Sequence, residues 1–242
     1  VTSKNNKKDY KKINMNQMMK PSEVNINKIE YSDIKPMGNS GGRQIYINYD
    51  GNLGMNIITP KMRLPFGISK FEGDTSVKYS IDMSFDNMEE NEKNKEFYDL
   101  IQSVDEKIIA DAQKKTNCLA WLRKKTVSED VVKTLYTPSI KRSKDKETGE
   151  FNDKFPPTFK AKVPFYNDSF QLEAYNYDKT KIENNFAEMV NKGQYVSALI
   201  KPRQLWFSGG KFGLSWSVVQ IKLYKPRNLI GYAFRDSDSE EE

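Results

Sequence analysis

Apolar residues recur at two spacings along the chain, and the spacings predict its elements. Val77, Tyr79, Ile81, Met83 and Phe85 alternate with Lys78, Ser80, Asp82 and Ser84, the pattern of a half-buried strand. Ile45, Ile47 and Tyr49 alternate likewise before an Asp50-Gly51 turn. From Asn94 to Lys115 the period lengthens. Phe97, Leu100, Ile101, Val104, Ile108 and Ala112 recur at three and four, forming one face of a helix. Ser128 with Glu129 and Asp130 predicts the start of a shorter helix through Val131, Val132 and Leu135. Phe159, Ala161 and Val163 return to strand, with Lys160 and Lys162 on the opposite face. Residues 175–187 are polar and turn-like, with one helical turn near Ile182.

The stretch Ile200 to Tyr224 predicts two strands joined around Ser208-Gly209-Gly210, because glycine accepts the positive φ of a tight hairpin turn. Sorted by parity, Val219, Ile221 and Leu223 share one face of the outgoing strand. Trp216, Val218, Gln220, Lys222 and Tyr224 share the other. The first face has the character of core. The second mixes rings, an amide and a cation, groups that stack on bases and hold phosphates. Short strands, a helical insertion at about 94–136 and no βαβ alternation point to a mainly β domain over residues 26–232, a small barrel or sandwich. Residues 1–25 are expected to form a flexible basic arm, and residues 233–242 an acidic tail.

Charge sharpens this picture. No Asp or Glu lies between Met189 and Arg235, whereas Lys192, Lys201, Arg203, Lys211, Lys222, Lys225, Arg227 and Arg235 do. The chain's net charge is +6, and without the five acids from Asp236 to Glu242 it becomes +11. A cationic body attracts polyanions, and the clustering of its charges argues for a defined site. There is no histidine and one cysteine, Cys118. That removes Ser–His and Cys–His nucleophile pairs, the usual zinc ligand sets and any internal disulfide, and it suggests a reducing compartment. Asp82, Asp86, Glu89 and Glu90 are close enough in sequence to hold Mg²⁺, but a solvated polar face is the better account of them. Ser208-Gly209-Gly210-Lys211 lacks the spacing of a phosphate loop. No apolar run is long enough to span a membrane, and no basic amphipathic helix suits a membrane surface.

Single-stranded nucleic acid fits these features best, since it needs a cationic groove and flat side chains. The candidate residues are Arg203, Trp206, Phe207, Lys211, Phe212, Trp216, Gln220, Lys222 and Tyr224, each aromatic having core packing as its alternative. The acidic tail, Asp236, Asp238, Glu240, Glu241 and Glu242 with Phe234 upstream, resembles a short phosphate backbone in charge density. It is expected to occupy the groove when DNA is absent and to meet partner proteins when displaced. A solubilising terminus is its alternative reading.

The run Leu205, Trp206, Phe207, Gly209, Gly210, Lys211, Gly213, Leu214, Ser215, Trp216, Val218, Val219, Gln220 and Lys222 resembles the terminal hairpin of single-stranded-DNA-binding proteins of nucleocytoplasmic large DNA viruses. Those are regarded as relatives of phage OB-fold binding proteins with acidic C-termini. Further matching pieces are Ile57 to Met62, Leu64 to Ile68, Tyr79 to Phe85, Trp121 and Leu135 to Lys141. The resemblance implies an OB-fold-like β-barrel with inserted helices and disordered tails. It implies a non-enzymatic, cofactor-free protein that coats single strands during replication, recombination and repair. It also implies tail contacts to a DNA polymerase and a helicase or primase, and dimerisation through the tail. The expected setting is intracellular, in the host cytoplasm at a viral factory or in the nucleus. In phage-type tails the last residue is aromatic, whereas here it is Glu242. A virion β-protein packed near the genome and an RNA-binding accessory factor are the rival readings.

Overall fold

The structure is a computed structural model that describes residues 18–38, 41–51, 55–73, 76–183 and 186–225. In chain order, the elements that position the site begin with β1 (Met18–Met19), β2 (Gly42–Ile45), β3 (Asn56–Ile58), β4 (Met62–Arg63), β5 (Ile68–Gly73) and β6 (Ser76–Ser84). Helix α1 (Glu92–Gln113), a π-helical turn at Cys118–Leu122 and α2 (Glu129–Leu135) follow. The chain then returns to strand in β7 (Tyr136–Thr137), β8 (Thr158–Val163), β9 (Glu173–Tyr175), β10 (Tyr195–Ser208) and β11 (Lys211–Leu223).

Five of these strands close on themselves. β4 pairs with β6, β6 with β8, β8 with β11, β11 with β10, and β10 returns to β4. The result is a five-stranded barrel of the OB-fold kind, mainly β as expected and carrying its two longest helices in one insertion. Alternation explains the packing. Ile81 and Met83 from β6, Phe159, Ala161 and Val163 from β8, and Val196, Ala198 and Ile200 from β10 are all buried. Their alternate neighbours face outward, except where other elements cover them. The insertion begins where Asn91 caps α1 by accepting a hydrogen bond from the Asn94 N–H. The apolar stripe of α1 then buries Phe97, Ile101, Val104 and Ile108 against the barrel, with the Phe97 ring 5.4 Å from Phe159 and edge-on to it.

Pairing starts earlier in the chain than expected. Met18 and Met19 pair in parallel with Asn56 and Ile57. The ordered body therefore includes residues assigned to the basic arm, because Met19 packs against the core. Residues 173–175 and 181–182 pair as strands in the region predicted to be turns, and the helical turn lies at Phe186–Met189.

Candidate nucleic-acid interface

The hairpin β10–β11 turns at Gly209 and Gly210, with φ of +58° and +73°, between the paired residues Ser208 and Lys211. Two consecutive left-handed residues in a two-residue loop match the strands' own twist. Along its length the hairpin carries two bulges. On β10 the register steps from Pro202↔Trp216 to Gln204↔Ser215, leaving Arg203 as the extra residue. On β11 it steps from Ile200↔Val218 to Leu199↔Gln220, leaving Val219 extra. Each extra residue reverses which parity faces inward.

The bulges redistribute the candidate residues. Before Val219 the even positions of β11 point inward, so Phe212, Trp216 and Val218 are core, each about 1% exposed. After Val219 the odd positions, Ile221 and Leu223, take their place. The expectation that Trp216 shares a solvent-facing wall with Gln220, Lys222 and Tyr224 is therefore corrected. Trp216 lies edge-on to Phe159 at 5.5 Å, and its indole N–H donates to Ser139 Oγ at 3.0 Å. Ser139 in turn donates from Oγ to Asp105 at 2.7 Å, and Asp105 also accepts from the Tyr136 hydroxyl at 2.6 Å and the Ser139 N–H at 2.7 Å. Burial pushes the Asp105 carboxyl up to about 6, against the pull of those three donors. Phe207 is buried as well, stacked on Phe212 at 5.5 Å with the rings 4° from parallel. Neither Phe207, Phe212 nor Trp216 presents a face on which a base could lie.

The opposite face of the hairpin carries the remaining candidates other than Lys211, spread along its length. It reads, pair by pair, Trp206 with Gly213, Gln204 with Ser215, Lys201 with Ser217, Leu199 with Gln220, and Ser197 with Lys222. Trp206 is partly exposed and lies across Gly213, where an added Cβ would come within 3.0 Å of its ring and 2.9 Å of the Thr137 carbonyl. At the far end Tyr224 is partly exposed. Its ring sits 4.6 Å from Lys61 Nζ and 5.2 Å from Lys222 Nζ, and its hydroxyl is 3.2 Å from Ser197 Oγ.

This face continues round the barrel. Ser69, Ser80, Lys162, Ser217 and Lys201 form one transverse row across β5, β6, β8, β11 and β10. Ser217 separates the two lysines, and Ser80 and Ser69 continue the row beyond Lys162 as a low floor. Lys162 is open to water. Partial burial, with Arg203 and Lys78 close by, lowers its pKa from the ordinary lysine value. The bulge residue Arg203 donates to the Tyr166 hydroxyl at 2.6 Å and lies 5.9 Å from the centre of that half-exposed ring. Among the described residues no ion pair holds Lys61, Lys78, Lys162, Lys201, Arg203 or Lys222. Carboxylates border the row at two points. Asp82 pairs with Lys160 at 2.9 Å, and Glu173 accepts from Gln220 at 2.9 Å. With Asp86 paired to Arg63, two of the four acids considered as a Mg²⁺ site are otherwise engaged, and among the described residues no group of three metal-ligating side chains assembles.

Lys211 stands at the hairpin tip, its ammonium on the Thr134 carbonyl at 2.6 Å. Phe234, Asp236, Asp238, Glu240, Glu241 and Glu242 lie outside the described residues. Reasoning from sequence missed Lys61, Lys162 and Tyr166 as site residues. The outward parity of Lys162 on β8 was a usable signal for it; Lys61 and Tyr166 reach the face only through tertiary contacts.

Comparison with known proteins adds distant likenesses and one family. A protein of Acanthamoeba polyphaga mimivirus, uncharacterized protein L291, is 26% identical over 181 residues. The match takes in 72% of this chain but 27% of that protein, so the chain spans about a quarter of its relative's length. The single-stranded DNA-binding protein from bacteriophage Enc34, in complex with ssDNA, aligns over 84% of this chain and 99% of its own at 15% identity and a TM-score of 0.43. Gp2.5, a single-stranded DNA-binding protein encoded by bacteriophage T7, aligns over 77% and 97% at 12% identity and a TM-score of 0.42. The family whose profile matches covers residues 82–236, from the second half of β6 through the whole hairpin, and on that match the chain belongs to the family of unknown function DUF5871.

Proposed function

We propose that the protein binds single-stranded DNA without reading its sequence, as a binding protein rather than an enzyme. The observation that carries this is the outer face of the hairpin and barrel. Cations with no carboxylate partner among the described residues (Lys162, Lys201, Arg203 and Lys222) alternate with partly exposed rings (Trp206, Tyr166 and Tyr224) over a floor of serines. Backbone phosphates favour such charges at any sequence, and every base has a face to stack. A duplex offers no free base faces, so rings set along one groove favour unpaired strands. The role that suits such a protein is protection of single strands during replication, recombination and repair of a viral genome. The acidic tail from Asp236 to Glu242, with Phe234, would compete for the cationic face and meet a polymerase, a helicase or primase, or a second copy of the chain.

Titration of tryptophan fluorescence with dT and rU oligomers at two salt concentrations tests this. Trp206 should quench on binding. With four phosphate contacts, affinity should fall on the order of 50-fold between 50 and 200 mM salt. Absence of affinity for oligo-dT at low salt, or affinity indifferent to salt, overturns the reading. Fluorescence unmoved by any oligomer favours a structural virion protein, and preference for rU an RNA-binding role. Removal of residues 236–242 should tighten DNA binding.

A further inference from the structure

A second cationic site lies on the other face of the hairpin tip. There Phe207 and Phe212, with the π-helical turn, the Gly209–Gly210 loop and the end of α2, enclose a cleft of about 390 Å³. Trp206 and Gly213 point the opposite way, so this cleft is separate from the outer face. Arg43, Arg123, Lys124 and Lys211 line it, and among the described residues no carboxylate does.

The four cations are not equivalent. Arg43 is anchored by hydrogen bonds to the Ala120 and Trp121 carbonyls at 2.9 and 2.6 Å, and Lys211 by the Thr134 carbonyl. Both serve helix C-termini, where free carbonyls attract cations. Arg123 and Lys124 have no such employment among the described residues. Arg123 ends the π-turn in a left-handed conformation, φ +57°, and lines the cleft together with Arg43. Burial, and next the nearby charge of Arg123, lower the Arg43 pKa from the ordinary guanidinium value. Crowded like charges with no counter-charge among the described residues favour a bound anion. Arg43 also occupies the Phe207 ring at 5.5 Å, so the rings offer an apolar wall rather than a stacking platform. The chemistry therefore suits a compact, multiply charged anion better than a base.

We propose that this cleft binds a phosphate group, either the 5′-terminal phosphate of a nucleic-acid strand or the phosphates of a free nucleotide, through Arg123 and Lys124 with Arg43 and Lys211 behind them. The test uses the full chain and the double variant Arg123→Gln/Lys124→Gln, which leaves the anchored pair intact. Two measurements run at constant ionic strength: the melting temperature with inorganic pyrophosphate or ATP, and the affinity for dT oligomers carrying a 5′-phosphate or a 5′-hydroxyl. Expected is protection of the natural protein, but not the variant, or a gain of about fivefold or more from the 5′-phosphate that the variant loses. The first result assigns a free nucleotide, the second a strand end. The variant alone should melt no lower than the natural protein, because it relieves repulsion; Arg123→Asn, a replacement that tolerates the left-handed backbone, checks this independently. Equal responses of both proteins to every probe overturn the proposal. Loss of oligomer binding on Trp206→Ala with pyrophosphate protection intact would separate this cleft from the outer face.

Discussion

Trp206 and Trp216 sit on one hairpin and are alike in composition of surroundings, yet they belong to different parts of the molecule. Trp216 is about 1% exposed, its N–H tied into the Ser139–Asp105–Tyr136 network under the helical insertion. Trp206 lies outside, partly exposed and resting on Gly213. The difference teaches that a sheet residue's role is set by the phase of its strand, and that one inserted residue changes that phase. An aromatic residue near many lysines is therefore no guide to binding until its face is known.

The largest expected effect tests the buried side. Trp216→Ala should cost about 3–5 kcal/mol of stability, measured by urea denaturation, while the folded fraction keeps its DNA affinity. A loss of affinity without a loss of stability would reverse the assignment of the two tryptophans. Next comes the network beneath it. The folded protein holds the Asp105 proton up to about pH 6, whereas an unfolded Asp releases it near 3.8. Between those values the fold binds the extra proton, so stability should fall as pH rises through that window, by about 2–3 kcal/mol. A melting temperature that rises from pH 4 to pH 6 would contradict this, once Asp105→Asn is run as the control for other groups.

On the outer side, Trp206→Ala should leave stability nearly unchanged and weaken oligo-dT binding by about 1–3 kcal/mol, roughly 5- to 150-fold. The smallest effect is electrostatic. Lys162→Gln and Lys201→Gln should each lower the slope of log affinity against log salt by about 0.7 and affect all sequences alike. An unchanged slope would take the transverse row out of the interface.

Much of the fold was legible because its signals are local. The strict alternation from Val77 to Phe85, the three-and-four spacing of α1 and the Gly209-Gly210 turn each depend on neighbours in sequence. The division of the hairpin into faces was not, because parity counted from Tyr224 fails across Val219. One hint was present: Pro202 cannot donate to a ladder and stands directly before the bulged Arg203. Val219 carries no such mark. Nor could spacing bring Lys61 to the ring of Tyr224, or Tyr166 to Arg203, since these contacts exist only once the barrel is closed.

That closure has an uneven circumference. β6 and β8 share six register pairs, whereas β4 meets β6 through Arg63 and Ser84 alone. The circle thus has a clasp, reinforced from outside by the Arg63–Asp86 contact at 3.5 Å. Deuterium should enter the backbone first at this clasp and last at the β6–β8 seam, and the barrel would unfasten there as a strip rather than collapse as a whole.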